Sequence, residues 1–564
     1  MKQYSRTNGL RPLLTGVAMA WILPLALISP ATGADAPPTG PIALTAPSGI
    51  PGVAAMPFTG TTASTFTTPV SINNLTVSPN QGVSGAPMTI SGAGLPANAN
   101  LQLTWSTATA TWKADVQPST VNYMGTSYSK LNVILATVTT DASGSFSFKT
   151  AAPKDFGGVH DIYAIQNGVA LAHGGYQLMR VLSITPKSGP IGTPITITYT
   201  SMGASLYTGG GSVLWDNKFV GEMQAQWTRG TGKVVIRAAG SVGTHFIQVA
   251  DGIGIMYMNI LQSPVPYANG GTVAFKVTKD KGLIKPYITW PSKVQATVSQ
   301  VTTLVQTGLD PASTAVATLS KNSGPINSKV ALHVTGLSIS GTAQIVWSTV
   351  VGSRVNCGSG GTCWAFSPLP LGSATITNGT IDQEITVPDN LGGWHVIQIM
   401  QGSLVEAQVP FYVKASIVPF YNKAGKVISM GVATADKSNS PESFAAGASG
   451  VGTYTFKAGQ EFTISIKGVG WTQLDNTLAV TYDNSHIGYG CGFNSNGYMV
   501  IHLIATGAPG THIIDLWPEL YTNQPSFAGT PYGMLPMLSS DRDFPGLALG
   551  YQVPSIHFSI KIVK

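Results

Sequence analysis

Four histidines recur in one setting. Gly158-Val159-His160-Asp161-Ile162, Gly243-Thr244-His245-Phe246-Ile247, Gly393-Trp394-His395-Val396-Ile397 and Gly510-Thr511-His512-Ile513-Ile514 share a spacing, and each precedes an apolar-alternating run. Imidazole is the commonest metal ligand and a general base near neutral pH. One histidine per copy makes no metal site unless the copies stack, and an imidazole at a strand start is expected to bond a loop carbonyl. His173, His333, His486, His502 and His557 lack the two-apart or four-apart pairing of a metal site.

The other reactive side chains are equally scattered. Cys357 and Cys363 flank a glycine-rich hairpin, CGSGGTC, where a disulfide is expected in an exported chain; zinc would need further ligands nearby. Cys491, in GYGCGFN, is left over as a small thiol. Asp475, Asp483 and Asp515 share the last part of the chain, but nothing in their spacing selects a glycosidase pair. Asp541 and Asp543 could help hold calcium, but two carboxylates are too few to make a site. G-x-S-x-G, H-E-x-x-H, P-loop and haem-attachment motifs are missing, so neither an enzyme nor a cofactor is expected.

The elements that would position these residues repeat. Leu182 to Trp215 reads as a short alternating strand, a Ser-Gly-Pro turn, a second strand with Ile195, Ile197 and Tyr199 on one face, and a third strand ending at Trp215. Leu75 to Trp105 and Ala317 to Trp347 follow the same plan, and Tyr454 to Tyr482 is a fainter copy. An opening and a closing about 80 to 100 residues apart mark a repeated domain too long for a solenoid unit. With the Asp141-to-Phe148 turn and strand, this opening resembles the immunoglobulin-like sandwich modules of secreted and surface bacterial proteins, the IPT/TIG-like group nearest among them. The resemblance implies an all-β chain of four tandem Ig-like β-sandwich domains in an elongated array, and implies little about function.

The expected boundaries are a signal peptide over 1–34, a flexible leader over 35–70, and domains over 71–179, 180–264, 318–415 and 453–564. Connectors are expected over 265–317 and 416–452, with a long insertion before the last strand of the fourth domain. Export follows from Lys2, Arg6 and Arg11, the apolar run Leu13 to Ile28, and the small residues Ala31, Gly33 and Ala34. Pro24 and the short apolar core argue against a membrane helix there, and the absence of a nearby cysteine argues against lipid anchoring. A mature chain with no transmembrane helix is expected.

Charged residues make up only 9% of the chain, against about 25% in ordinary soluble domains. After processing, 27 positive charges face 23 negative ones, with no basic stripe of the kind nucleic acid requires. Lys276, Lys279, Lys281 and Lys285 form the one basic cluster, read as a solvated hairpin, with contact to an anionic polymer as the alternative. A near-neutral surface of Gly, Ser and Thr suits packing against a wall, a matrix or identical copies. Candidate partner-binding aromatics lie in three loops: Trp112, Tyr123 and Tyr128; Trp364 and Phe366; and Trp517, Tyr521, Phe527, Tyr532, Phe544 and Tyr551 around the insertion. Adhesion or extracellular assembly through end loops and edge strands is the expected role. The partner would be a cell surface, a matrix, a glycan or a second copy. The alternative is a secreted polysaccharide-binding or polysaccharide-active protein with the sandwiches as spacers.

Overall fold

The computed structural model describes residues 42–45, 63–116, 121–205, 208–251, 261, 271–291, 305, 307–353, 363–417, 454–472, 474–493, 495–522, 532–538 and 543–564. Strands dominate them; the second and third modules each pair a three-stranded with a five-stranded sheet, whereas strands of the first and fourth join one 16-stranded sheet. In the second module Val181–Thr185, Pro194–Thr200 and Gly232–Arg237 form a three-stranded antiparallel sheet. Ser188–Gly189, Thr272–Val277, Gly243–Asp251, Gly210–Trp215 and Lys218–Gln224 form a five-stranded one. Ile195 and Ile197 from the first sheet share one core with Val213, Trp215, Ile247 and Phe275 from the second. Alternation explains the pairing: Pro194–Thr200 reads exposed, buried, intermediate, buried along its length, so one face of the strand belongs to the core.

The Ser-Gly-Pro turn does structural work. It hands the chain from one sheet to the other, so that Ser188–Gly189 runs parallel to Thr272–Val277. The same switch places Gln81–Gly82 beside Val169–Leu178 and Ser323–Pro325 beside Leu404–Lys414. In the fourth module Thr455–Lys457 runs beside Ser555–Val563 without that turn sequence. The first module pairs Asn73–Ser78, Pro87–Gly92 and Phe146–Ala151 over a core containing Ile90, Trp105, Ile162 and Tyr176. The third uses Val316–Leu319, Lys329–Thr335 and Ile381–Thr386 over Leu332, Trp347, Ile397 and Phe411.

Several expected boundaries move. The connector expected over 265–317 contains Thr272–Val277, which completes the second module's sheet, and Tyr287–Thr289, which adds to the fourth module beside Ser555–Val563. Hydrogen-bonding capacity on open strand edges is the physical reason: a chain passing such an edge gains backbone bonds by joining it. The connector expected over 416–452 begins with Ser416–Ile417, which pairs with Glu461–Lys467 of the fourth module. Parts of the expected flexible leader are likewise docked, Ile42–Ala43 against Ala114 and Lys113, and Thr67 against Val169.

An array in which each module touches only its neighbours in the chain does not hold. Thr522 of the fourth module pairs with Tyr123 of the first, and Met537 bridges to Glu222 of the second.

The consecutive junctions 1–2 and 3–4 are built alike. Gly157 bridges to Gly203, and Gly392 to Gly470. The Gly157 amide donates to the Met202 carbonyl at 2.8 Å, and the Gly392 amide to the Val469 carbonyl at 2.7 Å. A Cβ on Gly157 would overlap the Ser201 carbonyl, and one on Gly392 the Gly468 carbonyl. Glycine is required here by close approach of two backbones. Gly157→Ala and Gly392→Ala should therefore each destabilise the protein by about 1–3 kcal/mol, the range for overpacking. Urea unfolding of the full chain followed by tryptophan fluorescence would show this as a lower midpoint at unchanged slope.

Candidate functional site

The closing histidines sit under aromatic rings. His160 stacks on Trp105 at 4.3 Å between ring centres, His245 on Trp215 at 5.1 Å, His395 on Trp347 at 4.8 Å and His512 on Tyr482 at 5.7 Å. Each ring meets a loop carbonyl, as expected: Phe156 at 2.7 Å, Ser241 at 2.7 Å, Leu391 at 2.8 Å and Ala508 at 2.8 Å respectively. The second ring nitrogen divides the modules into two kinds. In the first and third it meets another carbonyl, Ser106 or Ser348. In the second and fourth it meets a carboxylate, Asp216 or Asp483, each at 2.5 Å. Those aspartates sit in matching tight turns, with positive φ at Asp216 and Asn217 and again at Asp483 and Asn484. The chain thus alternates two kinds of sandwich.

Burial pushes His395 below its ordinary value, which favours the neutral ring. For His512 burial acts downwards too, but the hydrogen bond and charge of Asp483 outweigh it and raise the value.

Buried charged groups concentrate where modules meet. At the 1–2 junction Arg229 pairs with Asp155 at 2.9 Å, both buried, and Asp155 also accepts from the Trp105 indole at 2.9 Å. Between the second and fourth modules Arg237 enters the other sandwich. Its Nε donates to Asp515 Oδ1 at 2.8 Å, and one terminal nitrogen donates to the Ile514 and Phe558 carbonyls at 3.2 and 2.6 Å. His557 contacts the same carboxylate at 2.7 Å through Nδ1 and Thr289 Oγ1 at 3.1 Å through Nε2. Burial alone would raise Asp515; the Arg237 charge, with the His557 contact, holds it below the usual carboxylate range.

A carboxylate, an imidazole and a hydroxyl in this order resemble a proton relay. Here the carboxylate is also neutralised by a guanidinium that spans two modules, so its work is to join them. Among the described residues no group of three His, Cys, Asp or Glu is placed to hold a metal ion.

The aromatic candidates fare differently from expectation. Trp112 and Tyr123 are buried and pack on each other at 5.1 Å, and Trp112 meets Trp227 of the second module edge-on at 6.4 Å. The Tyr128 hydroxyl accepts from Gln226 at 3.2 Å. Trp517 is buried in the core of the second module, and Phe544 and Tyr551 are fully buried in the core of the fourth. The expected partner-binding flap is therefore, over its described residues, an internal strap. Asp543, read as a weak calcium candidate, accepts from the Trp227 amide at 2.8 Å and the Thr228 hydroxyl at 2.9 Å. The Gly550 carbonyl accepts from the Trp394 indole of the third module at 2.9 Å. Aromatic rings rich in area lower the free energy most when buried, which explains why they line seams between modules rather than open loops.

Trp364 and Phe366 lie on Cys363–Phe366, which pairs with Val350–Ser353. Tyr521 lies on Gly510–Thr522 and Tyr532 on Tyr532–Pro536. Phe527, Asp541, Cys357 and the signal-peptide stretch fall outside the described residues. Cys491 is half-buried, with its sulfur 3.9 Å from Asn476 Oδ1. The four lysines of the basic cluster are exposed. No helix of the described residues is long and apolar enough to cross a membrane.

Arg237, Asp515 and Trp227 were not legible as seam residues. Their one signal is an arginine closing the apolar run Val234-Val235-Ile236, where an exposed strand end would be the ordinary reading.

No family model and no curated protein sequence matches the chain. Solved structures do align with it. The Escherichia coli adhesin FdeC is 11% identical, covering 61% of this chain and 98% of its own, with a TM-score of 0.14. Invasin, described as a bacterial integrin-binding protein, is 11% identical over 87% of this chain and 79% of its own, with a TM-score of 0.16. A putative membrane-anchored protein of Corynebacterium diphtheriae is 12% identical over 63% and 89%, with a TM-score of 0.14.

Two measurements test the seams. Arg237→Met leaves Asp515 buried without its main counter-charge and should cost about 3–5 kcal/mol, whereas Arg237→Met with Asp515→Leu should recover most of the loss. Thermal unfolding of the full chain reports both. The raised value of His512 means its stabilisation is fully present below the ordinary imidazole value and is lost as pH rises through the higher folded one. Asp483→Asn should flatten the stability profile in that window, measured by urea midpoints from pH 6 upward.

Proposed function

We propose that the protein is an exported, non-catalytic surface or matrix protein acting in adhesion or extracellular assembly. The observation that carries this reading is where the chemistry goes. Arg229 and Asp155, Arg237 and Asp515, and Asp543 with the Trp227 amide all bind module to module, and the large aromatics fill the same seams. What remains outside includes exposed lysines and open strand edges.

Among the described residues Ser485–Cys491 pairs only with Thr477–Tyr482 and so forms a free edge, where Ile487 and Tyr489 are 49% and 53% exposed. An edge with apolar side chains and no lysine lacks the devices that keep strand edges apart, which supports contact with another β-rich surface or a second copy. Export as read from the first 34 residues, and a disulfide between Cys357 and Cys363, belong to the same proposal.

The test is light scattering and electron microscopy of residues 35–564 across concentration. Filaments, sheets or closed rings, weakened by Tyr489→Lys, are the expected outcome. A monomer at every concentration would overturn assembly. Failure of that monomer to bind matrix proteins or glycans would overturn adhesion as well.

A further inference from the structure

The second and fourth modules match residue for residue from Met202 and Val469 onward, without insertion, to His245 and His512. Met202 and Val469 each donate an amide bond to a glycine carbonyl, Gly230 and Gly497, at 2.9 and 3.1 Å. Gly203 and Gly470 each close a loop, their amides donating to the carbonyls of Thr208 and Asp475 at 2.8 and 3.0 Å. This equates Thr208 with Asp475.

At the 1–2 junction the position is a neutral hydroxyl, 2.7 Å from Ser205 Oγ. At the 3–4 junction it is a carboxyl group, 6% exposed, whose Oδ1 accepts from the Thr472 amide at 2.8 Å and its hydroxyl at 2.6 Å. The other oxygen, Oδ2, is buried with no hydrogen-bond partner among the described residues. A Cβ on Gly393 of the third module or on Gly470 of the fourth would collide with it, so the group is wedged between the two modules.

The one junction shows that the other could be built without a charge. A carboxylate at this point is therefore not a requirement of the fold.

The surroundings select what the carboxyl can do. It faces a small recess whose wall includes Val413, Val469, Leu478 and Val553. Such a wall offers a metal ion few oxygens. The titratable group facing it is Tyr412, from Leu404–Lys414 of the third module, whose hydroxyl already accepts from the Gln552 amide at 3.2 Å.

Nearby basic groups are engaged elsewhere. Lys467 pairs with Asp389, Lys414 lies over the Trp290 ring at 5.4 Å, and His395 contacts the Ser348 and Leu391 carbonyls.

We infer that Asp475 makes the joint between the third and fourth modules acid-tightened: the neutral carboxyl fits the wedge, and loss of its proton loosens the two modules from each other. Burial agrees, raising the group to about 7 from an ordinary carboxylate value. The sign follows. The penalty is absent below the ordinary carboxylate value, grows as pH rises from there to about 7, and is complete above it.

Hydrogen exchange at the Gly392 amide of the full chain, which bonds across to Val469, corrected for intrinsic exchange, reads the opening of this joint. Between pH 5 and 7 the opening constant should rise by up to about tenfold per pH unit, then level off. Asp475→Asn, and Asp475→Thr taken from the second module, should abolish that slope and leave the joint closed at pH 8. The equivalent Gly157 amide serves as the internal control and should show no such slope. The same slope in both variants, no slope in the parent protein, or variants that fail to fold would each overturn the inference. So would protection of the parent, but not of Asp475→Asn, by added calcium or sodium, since that would identify a cation site instead.

Discussion

A guanidinium and a carboxylate buried together between the second and fourth modules set the arrangement on which the rest depends. Burying two charges is costly unless the geometry is good and the remaining donors are satisfied. Arg237 meets it in part: it bonds Asp515 and two backbone carbonyls, and its own carbonyl accepts from Asn484 at 2.8 Å, while its second terminal nitrogen and Asp515 Oδ2 are buried without a hydrogen-bond partner among the described residues. The pair fixes one register between two sandwiches whose outer faces are otherwise bland. Once that register is set, Ile513 and Trp517 fall into the second module's core, and Ile284 reaches Ser559 through its amide at 2.8 Å. Hydrophobic burial supplies the driving force; the ion pair supplies the specificity of position.

The same division of labour appears at the smaller joints. Two glycines allow the backbones of consecutive modules to touch, and polar groups beside them choose how firmly. At the 1–2 junction the choice is an ion pair with an indole beneath it. At the 3–4 junction Asn390 holds the equivalent turn through the Leu391 amide at 2.6 Å, and Trp471 donates its indole proton to the Trp394 carbonyl at 2.9 Å. Repeated modules need not have equivalent joints, and here the difference resides in a few side chains.

The sandwich modules were legible in the sequence because alternation, turn residues and the glycine–histidine closure are local signals. Trp215-Asp216-Asn217 announced its turn, and the histidines announced their carbonyl partners. The pairing of each histidine with an aromatic ring in its own module was available too, since every copy carries both at strand ends. What could not be read was the use of the aromatic loops. Trp112, Tyr123, Trp517, Phe544 and Tyr551 have the composition of a recognition surface, and burial between modules calls for that same composition. Only the long-range arrangement separates the two, and Trp227 with Asp543, or Thr522 with Tyr123, are contacts between residues hundreds of positions apart in the chain. The strand Thr272–Val277 escaped for a related reason: its partner edge is supplied by residues outside its own stretch.

That separation has a bearing on how the molecule comes into being. Arg237 and Asp515 stand 278 positions apart, and the Trp227 amide and Asp543 stand 316 apart. A chain that emerges from its amino end presents the first two sandwiches long before the strap that covers them exists. Until then Arg237 lacks its carboxylate and Trp112 lacks part of its cover, so an early intermediate carries an unneutralised charge beside bare apolar surface. Contacts that close such large loops form slowly. The final residues are thus the step that turns separate sandwiches into one interlocked body, and a chain shortened at that end would leave its earliest parts unfinished.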